Sequence, residues 1–346
     1  MTGSRVTLLG PDFAAPRSSR AGVSLSHAVG LTALHLSAAY RHTDFLPRRT
    51  DLNRLPAPAG ADQYGRPLYG TLVQQGSLVA AQANRRFTEF DRIWAVNADG
   101  FSDYLGLTVT LTREATTGAR FLASYTYSQT KDNWLGGSGG ALASQLSPFP
   151  DSLNSVDWTD DRSDYDVPHR VVFGLELPLP GPIVLGGMYR YESGAPFTPG
   201  FRPGVDANGD GADDNDPAFI DDAISGVSSL LGSWDCLATQ VGAFASRNSC
   251  REPGTHRLDL RLTVTPFHIR GAPVNIVLDG LNLVESDVGL RDHALSLVDR
   301  TGTVSTDPGT GVTTVPLIAN PAFGNVLARR TTGMVLRLGV RVGGGS

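Results

Sequence analysis

Between residues 206 and 217 the chain reads DANGDGADDNDP, an acidic stretch that begins like a calcium-binding loop. An EF-hand loop takes oxygen ligands from positions 1, 3 and 5, a glycine at 6 and a bidentate glutamate at 12. Asp206, Asn208, Asp210 and Gly211 meet the first four conditions, whereas position 12 is Pro217, which offers no side-chain oxygen. The flanking Thr198-Pro-Gly and Asp216-Pro217 read as loop, not as the paired helices of a sensor. Two readings stay open. Asp206, Asn208 and Asp210, with Asp214 or Asp216, form a Ca²⁺ clip in an extracellular loop, or the segment is a solvated acidic loop. A clip of this kind is weak, with Kd about 10⁻⁴–10⁻³ M, and no other cofactor is expected.

Catalytic patterns fare worse. Gly136-Gly-Ser-Gly-Gly140 matches the form of a nucleophile elbow, but an elbow needs a strand before it and a helix after it. Here the glycines lie in a polar loop. His169 stands close in sequence to Asp164 and Asp166, and His256 opens another segment; either could join an acid–base cluster, or serve as a hydrogen-bonded residue where a loop meets a strand. No phosphate-cradling loop or HExxH is present, and the chain is not expected to be an enzyme. Trp134, Phe149, Trp158, Phe197 and Phe201 lie in long polar segments, where they could contact a ligand or pack the loops together.

Cys236 and Cys250 are the only cysteines, and without a CxxC or Cys/His zinc pattern their simplest use is a disulfide. Closing a loop of about 15 residues would contribute about 3 kcal/mol and points to an oxidising compartment; two free thiols are the alternative. The net charge is −5, and thirteen of the 34 acidic residues are aspartates within 151–166 and 199–222. No Lys/Arg run tracks a phosphate backbone, so nucleic acid is not an expected partner. No run reaches the ~20 apolar residues of a spanning helix.

The elements that must position these residues have a period of two. In Leu258-Asp-Leu-Arg-Leu-Thr-Val264 aliphatic and polar residues alternate, as they do along 104–112, 169–177 and 336–342. Such segments are strands with two chemically different faces. Nine are expected, at about 21–29, 31–41, 104–113, 118–130, 169–177, 183–193, 255–265, 273–283 and 333–342. Lengths of ~9–11 residues suit tilted transmembrane strands. The polar faces carry Glu176, Arg190, Asp259, Arg261, Arg337 and Arg341, charges that a packed core would penalise and a water-filled lumen would accept.

The connections alternate between short and long. Short ones fall near Gly30, at 114–117, 178–182 and 266–272; long ones at 42–103, 131–168, 194–254 and 284–332. Short turns on one side and long loops on the other are the pattern of an outer-membrane barrel. Tyr40, Tyr104, Tyr125, Tyr127, Tyr189 and Tyr191 stand at the long-loop ends, as an interfacial girdle requires. The expected fold is therefore all-β: an antiparallel transmembrane β-barrel with long extracellular loops and short periplasmic turns. Residues 1–19 are expected to be an unstructured start or the end of a preceding loop, 20–342 a partial barrel, and 343–346 a tail. Nine strands that begin outside cannot close a bacterial barrel of even strand number, so further strands are expected upstream, together with the signal peptide that the start MTGSRVTLLG does not resemble.

Several pieces resemble one family. They are Asp99-Gly-Phe-Ser-Asp-Tyr-Leu-Gly-Leu107, Ala123-Ser-Tyr-Thr-Tyr-Ser128, Arg162-Ser-Asp-Tyr-Asp-Val-Pro-His-Arg170, Ser193-Gly-Ala-Pro-Phe-Thr198 followed by DANGDG, Leu281-Asn-Leu-Val284 and Asn320-Pro-Ala-Phe-Gly324. In order and spacing they are similar to the C-terminal barrel of Oar-like TonB-dependent outer-membrane receptors. The resemblance covers roughly 20–342 and implies the last nine strands of a 22-stranded barrel. It also implies outer-membrane lipid, a plug domain and TonB as partners, the last two outside this chain, and an extracellular ligand to be imported or, in some members, exported. The alternative is a secreted or surface structural or adhesive β-protein with a calcium-stabilised acidic loop.

Overall fold

The computed structural model describes residues 4–55, 57–75, 78–83, 85–133, 161–202, 204–210, 216–284, 289–329 and 333–343. Nine long strands form one continuous antiparallel wall: β1 (Arg17–Val29), β2 (Thr32–Asp51), β3 (Phe90–Glu114), β4 (Arg120–Asp132), β5 (His169–Leu179), β6 (Ile183–Glu192), β7 (Thr255–Ile269), β8 (Ala272–Leu281) and β9 (Val335–Val342). Each pairs with its neighbours in sequence, so the wall is a meander that runs from β1 to β9. These are the nine segments that alternation marks out. The β7–β8 turn explains why so short a link suffices: Arg270 and Gly271 have φ of 49° and 83°, the doubly left-handed geometry whose twist matches a two-residue hairpin.

Register puts like with like. Leu25 faces Leu36, Leu36 faces Val109, and the row continues through Tyr125, Val171 and Tyr191. At the other end Leu262, Leu278 and Leu338 face one another. Among the described residues no other layer covers these side chains: Val23 is 70% and Leu338 75% exposed. An apolar surface of this extent is not a solvent-facing surface. The wall has no core of its own.

The packed core lies instead in the long connections. Phe197, Ile220, Val227, Leu237, Leu295 and Phe323 form one buried cluster, and Leu68, Leu72, Val298 and Val315 a second. Residues far apart in the chain supply them. Gly200–Phe201 pairs in parallel with Ala294–Val298, and Gly60–Asp62 in parallel with Val312–Thr314. The Gln63 side-chain amide donates to the Val315 carbonyl at 2.7 Å and accepts from its N–H at 2.9 Å. The three connections 52–89, 193–254 and 282–334 thus fold together as a cap.

Three sequence expectations need correction. The segment expected as a loop over 42–103 is in good part strand, because β2 continues to Asp51 and β3 begins at Phe90. Bulges near Phe45, whose φ is 62°, interrupt that extension and erase the alternation that would have revealed it. Residues 1–19, expected to be an unstructured start or the end of a preceding loop, contain a strand, Ser4–Leu9, paired in parallel with β3, and the first residues of β1. The connection 194–254 holds two short helices, Val227–Leu231 and Asp235–Ala238.

Cys236 and Cys250 form a disulfide with their Cα atoms 5.3 Å apart, within that connection. Cys250 is 1% exposed and belongs to the larger cap cluster. Replacing both cysteines with serine should destabilise the cap by about 2–4 kcal/mol. The change is expected as faster proteolysis within 193–254, while hydrogen exchange of the wall strands stays as it was.

Candidate functional site: the polar face of the wall and its cap

Glu176, Arg190, Asp259, Arg261, Arg337 and Arg341, all singled out from sequence, stand on the face opposite the aliphatic rows. Register arranges part of this set as a single row. Glu114 faces Arg120, Arg120 faces Glu176, Glu176 faces Gly186, Gly186 faces Arg261, Arg261 faces Asp279, and Asp279 faces Arg337. Opposite charges directly across a ladder attract, and these are joined. Arg120 lies 3.0 Å from Glu114 and 3.6 Å from Glu176, and Arg261 donates to both oxygens of Asp279 at 2.6 and 3.1 Å. A cleft of about 600 Å³ at the short-turn end has Glu114, Arg120 and Glu176 in its lining. Glu114, Arg120 and Asp279 escaped the sequence reading, since only pairing reveals that they complete the row.

Five of the six tyrosines, Tyr40, Tyr125, Tyr127, Tyr189 and Tyr191, lie on the aliphatic face near the cap. Tyr104 does not: it faces Arg41 and Thr130 on the polar face. Two histidines join the belt. His169 is hydrogen-bonded through Nδ1 to the Tyr125 hydroxyl at 2.8 Å, and His256 to that of Tyr189 at 2.7 Å. The acid–base cluster considered for His169 therefore does not form, because Asp164 and Asp166 are held by other groups. Asp166 pairs with Arg251, and Asp164 accepts from the Asn248 amide at 2.7 Å.

Buried ion pairs fasten the cap to the wall. Arg247 is 1% exposed and reaches the Asp132 carboxylate, at the end of β4, at 2.8 Å and the Asp132 carbonyl at 2.7 Å. Within the cap, Glu252 is 2.5 Å from His293 Nε2 and 3.1 Å from Arg291 Nε. The Phe197 ring stacks on His293 at 4.0 Å.

The described part of the acidic stretch, 206–210 and Asp216, is buried, which contradicts its description as a solvated loop. Asp206, Asn208, Asp210 and Asp216 are all under 10% exposed. Asp206 Oδ1 accepts from Gly209 N at 2.7 Å, and Asn208 Oδ1 from Asp210 N at 2.9 Å. Asp216 accepts from Ala207 N at 2.8 Å and from Arg66 Nη1 at 3.1 Å. Burial holds the Asp216 carboxyl well above the usual carboxylate range, and Asp210 and Asp206 add to that against the opposing charge of Arg66. Among the described residues no group of three or more His, Cys, Asp or Glu is arranged to hold a metal ion. Asp214 lies outside the described residues, as do Trp134, the 136–140 glycines, Phe149 and Trp158. Phe201 is half-buried, with the Arg66 guanidinium 5.3 Å from its ring centre, and Phe197 is in the cap cluster; both are packing residues here.

Comparison with known proteins bears on the whole arrangement. Among solved structures the chain is similar to the outer membrane transporter YddB from Escherichia coli, with 12% identity and a TM-score of 0.46, over 92% of this chain and 33% of that one. It is also similar to the FrpB iron transporter from Neisseria meningitidis, F3-3 variant, with 12% identity and a TM-score of 0.43, over 96% of this chain and 32% of that one. The chain thus spans about a third of the length of these two proteins. No curated protein matches it. The family described as outer membrane beta barrel domain matches residues 1–272. With aliphatic rows and a tyrosine belt on one face and charged rows on the other, this chain belongs to the outer membrane β-barrel family, and its place is the bacterial outer membrane.

Proposed function

We propose that the chain is the C-terminal portion of the barrel of an Oar-like TonB-dependent receptor, which binds a ligand outside the cell and imports it. The carrying observation is that the wall stays open. β1 and β9 stand at opposite ends of the nine-strand ladder, and among the described residues neither has a wall strand on its outer side. A spanning sheet must close, since lipid leaves unpaired backbone groups unsatisfied. Strands from elsewhere in a longer chain, 22 in all, would close it, with the polar rows toward the lumen and around a plug. The cap supports the ligand-binding role because its fixed ion pairs and disulfide make it a preorganised surface. No catalytic constellation is assigned to it, and its partners would be lipid, plug, TonB and the extracellular ligand.

An antibody against the cap would test this on outer membranes of the source cells. The reading expects a band far above 36.7 kDa, and uptake by those cells that stops when TonB is disrupted. A 36.7 kDa product alone, with uptake unaffected by TonB, would overturn it.

A further inference from the structure

The polar face of β6 to β9 has an excess of arginine. Arg190, Arg257, Arg261, Arg337 and Arg341 stand there against Asp259 and Asp279. Glu192, at the cap end of β6, lies 3.5 Å from Arg170 of β5. Both aspartates are already engaged: Arg257 donates to both oxygens of Asp259 at 2.9 and 3.1 Å, and Arg261 holds Asp279 in the same way. Arg337 and Arg341 feel Asp279 only at longer range, and neither makes an ion pair within 4 Å among the described residues.

A second, independent feature lies at the cap end of this patch. Arg190 and Arg257 are direct cross-strand partners. Like charges in that relation repel, and Arg190 turns one nitrogen toward the Met188 sulfur at 3.0 Å. The same pairing recurs elsewhere among the described residues, where Arg20 stands opposite Arg41 and Arg5 opposite Arg92. Arg257 holds Asp259 through Nε alone, so its two terminal nitrogens, across the ladder from the Arg190 guanidinium, match the oxygens of a phosphate or carboxylate.

We infer that the polar face of β6 to β9 is a binding site for a small multivalent oxyanion, a phosphate-bearing or polycarboxylate solute, anchored by Arg190 and Arg257. This rests on the reading of that face as the lumen wall and names the ligand class that wall receives. Arg337 and Arg341 contribute the uncompensated positive charge that draws the anion along the wall.

Calorimetric titration of the protein as purified from outer membranes of the source cells, in nonionic detergent micelles at low salt, with pyrophosphate and separately with citrate tests it. Saturable binding of either anion is expected, weakened about tenfold or more by Arg190→Gln or Arg257→Gln. Arg190→Lys should keep part of it, and Arg5→Gln, on the strand beside β3 and paired with Asp91, should leave it unchanged. In the absence of anion, Arg190→Gln is expected to raise the urea midpoint, because it relieves the repulsion; that readout also shows that the variant folds. Binding of neither anion, undiminished binding by the Arg190→Gln/Arg257→Gln double variant, or an equal loss in Arg5→Gln would overturn the proposal. The titration needs no TonB. A failure of energised uptake and a failure of anion binding are therefore distinguishable.

Discussion

Leu278→Arg should destabilise the folded wall in lipid by about 2–4 kcal/mol, whereas Val277→Arg, one residue away on the same strand, should change stability by about 0.5 kcal/mol or less. Leu278 lies between Leu262 and Leu338 on the aliphatic face and is itself exposed. In water, an arginine at so exposed a position would be nearly free of cost. In the hydrocarbon layer it must be desolvated or must snorkel past its neighbours. Val277 instead faces Thr263 and Gly339 on the polar face, and nothing lies within 4 Å of the side-chain position at Gly339. An arginine there has room and water. Urea titrations of both variants in phospholipid vesicles measure the difference; equal costs would mean that the two faces meet the same environment.

Arg66→Met should cost the cap about 3–5 kcal/mol, the penalty for removing one member of a buried ion pair. Arg66 is 2% exposed and serves Asp62 at 3.4 Å and Asp216 at 3.1 Å. Without it Asp216 keeps, among the described residues, the Ala207 N–H, with Asp206 and Asp210 nearby. The pH dependence follows from the direction of the Asp216 shift. Its folded pKa lies above the unfolded value, so the group's stabilising contribution is present at acid pH and is lost as pH rises through the folded pKa. Removing Arg66 raises the folded value further. The deficit of Arg66→Met is therefore largest at neutral pH and shrinks on acidification, and Arg66→Met/Asp216→Asn recovers much of it. Rates of cap proteolysis between pH 4 and pH 8 follow both effects; a deficit that does not vary with pH would show that lost packing, not the unpaired carboxylate, is its source.

The wall was legible in the sequence because each of its strands divides two environments, and period-two alternation records that division directly. Leu105, Leu107, Val109 and Leu111 could be assigned to one face before any pairing was known, and register agrees with that assignment. Where the division ends the signal ends too. Above the tyrosine belt β2 and β3 continue with mixed polarity and bulges, and nothing in 42–51 or 90–103 alternates strictly enough to mark a strand. The cap was hidden for another reason. Its larger cluster joins Phe197 to Leu295 and Phe323, about 100 residues or more further along the chain, and contacts of that range leave no local period. The acidic stretch matched a ligand pattern, yet its geometry is set by Arg66, 150 residues away from Asp216, a partner that motif spacing cannot contain. The charged row likewise needed register: Glu176, Arg261 and Arg337 are far apart in sequence and become one feature only when the strands pair.

The most direct test of the central claim is the environment of successive residues along β8. Cys236 and Cys250 are joined to each other, so single cysteines introduced at 276, 277, 278 and 279 can carry a nitroxide label in vesicles. The account predicts alternation: labels at 276 and 278 collide with lipid-dissolved oxygen, and those at 277 and 279 with a water-soluble paramagnetic reagent. Four labels equally open to the aqueous reagent would contradict a lipid-facing aliphatic surface, and with it the assignment of this wall to a membrane.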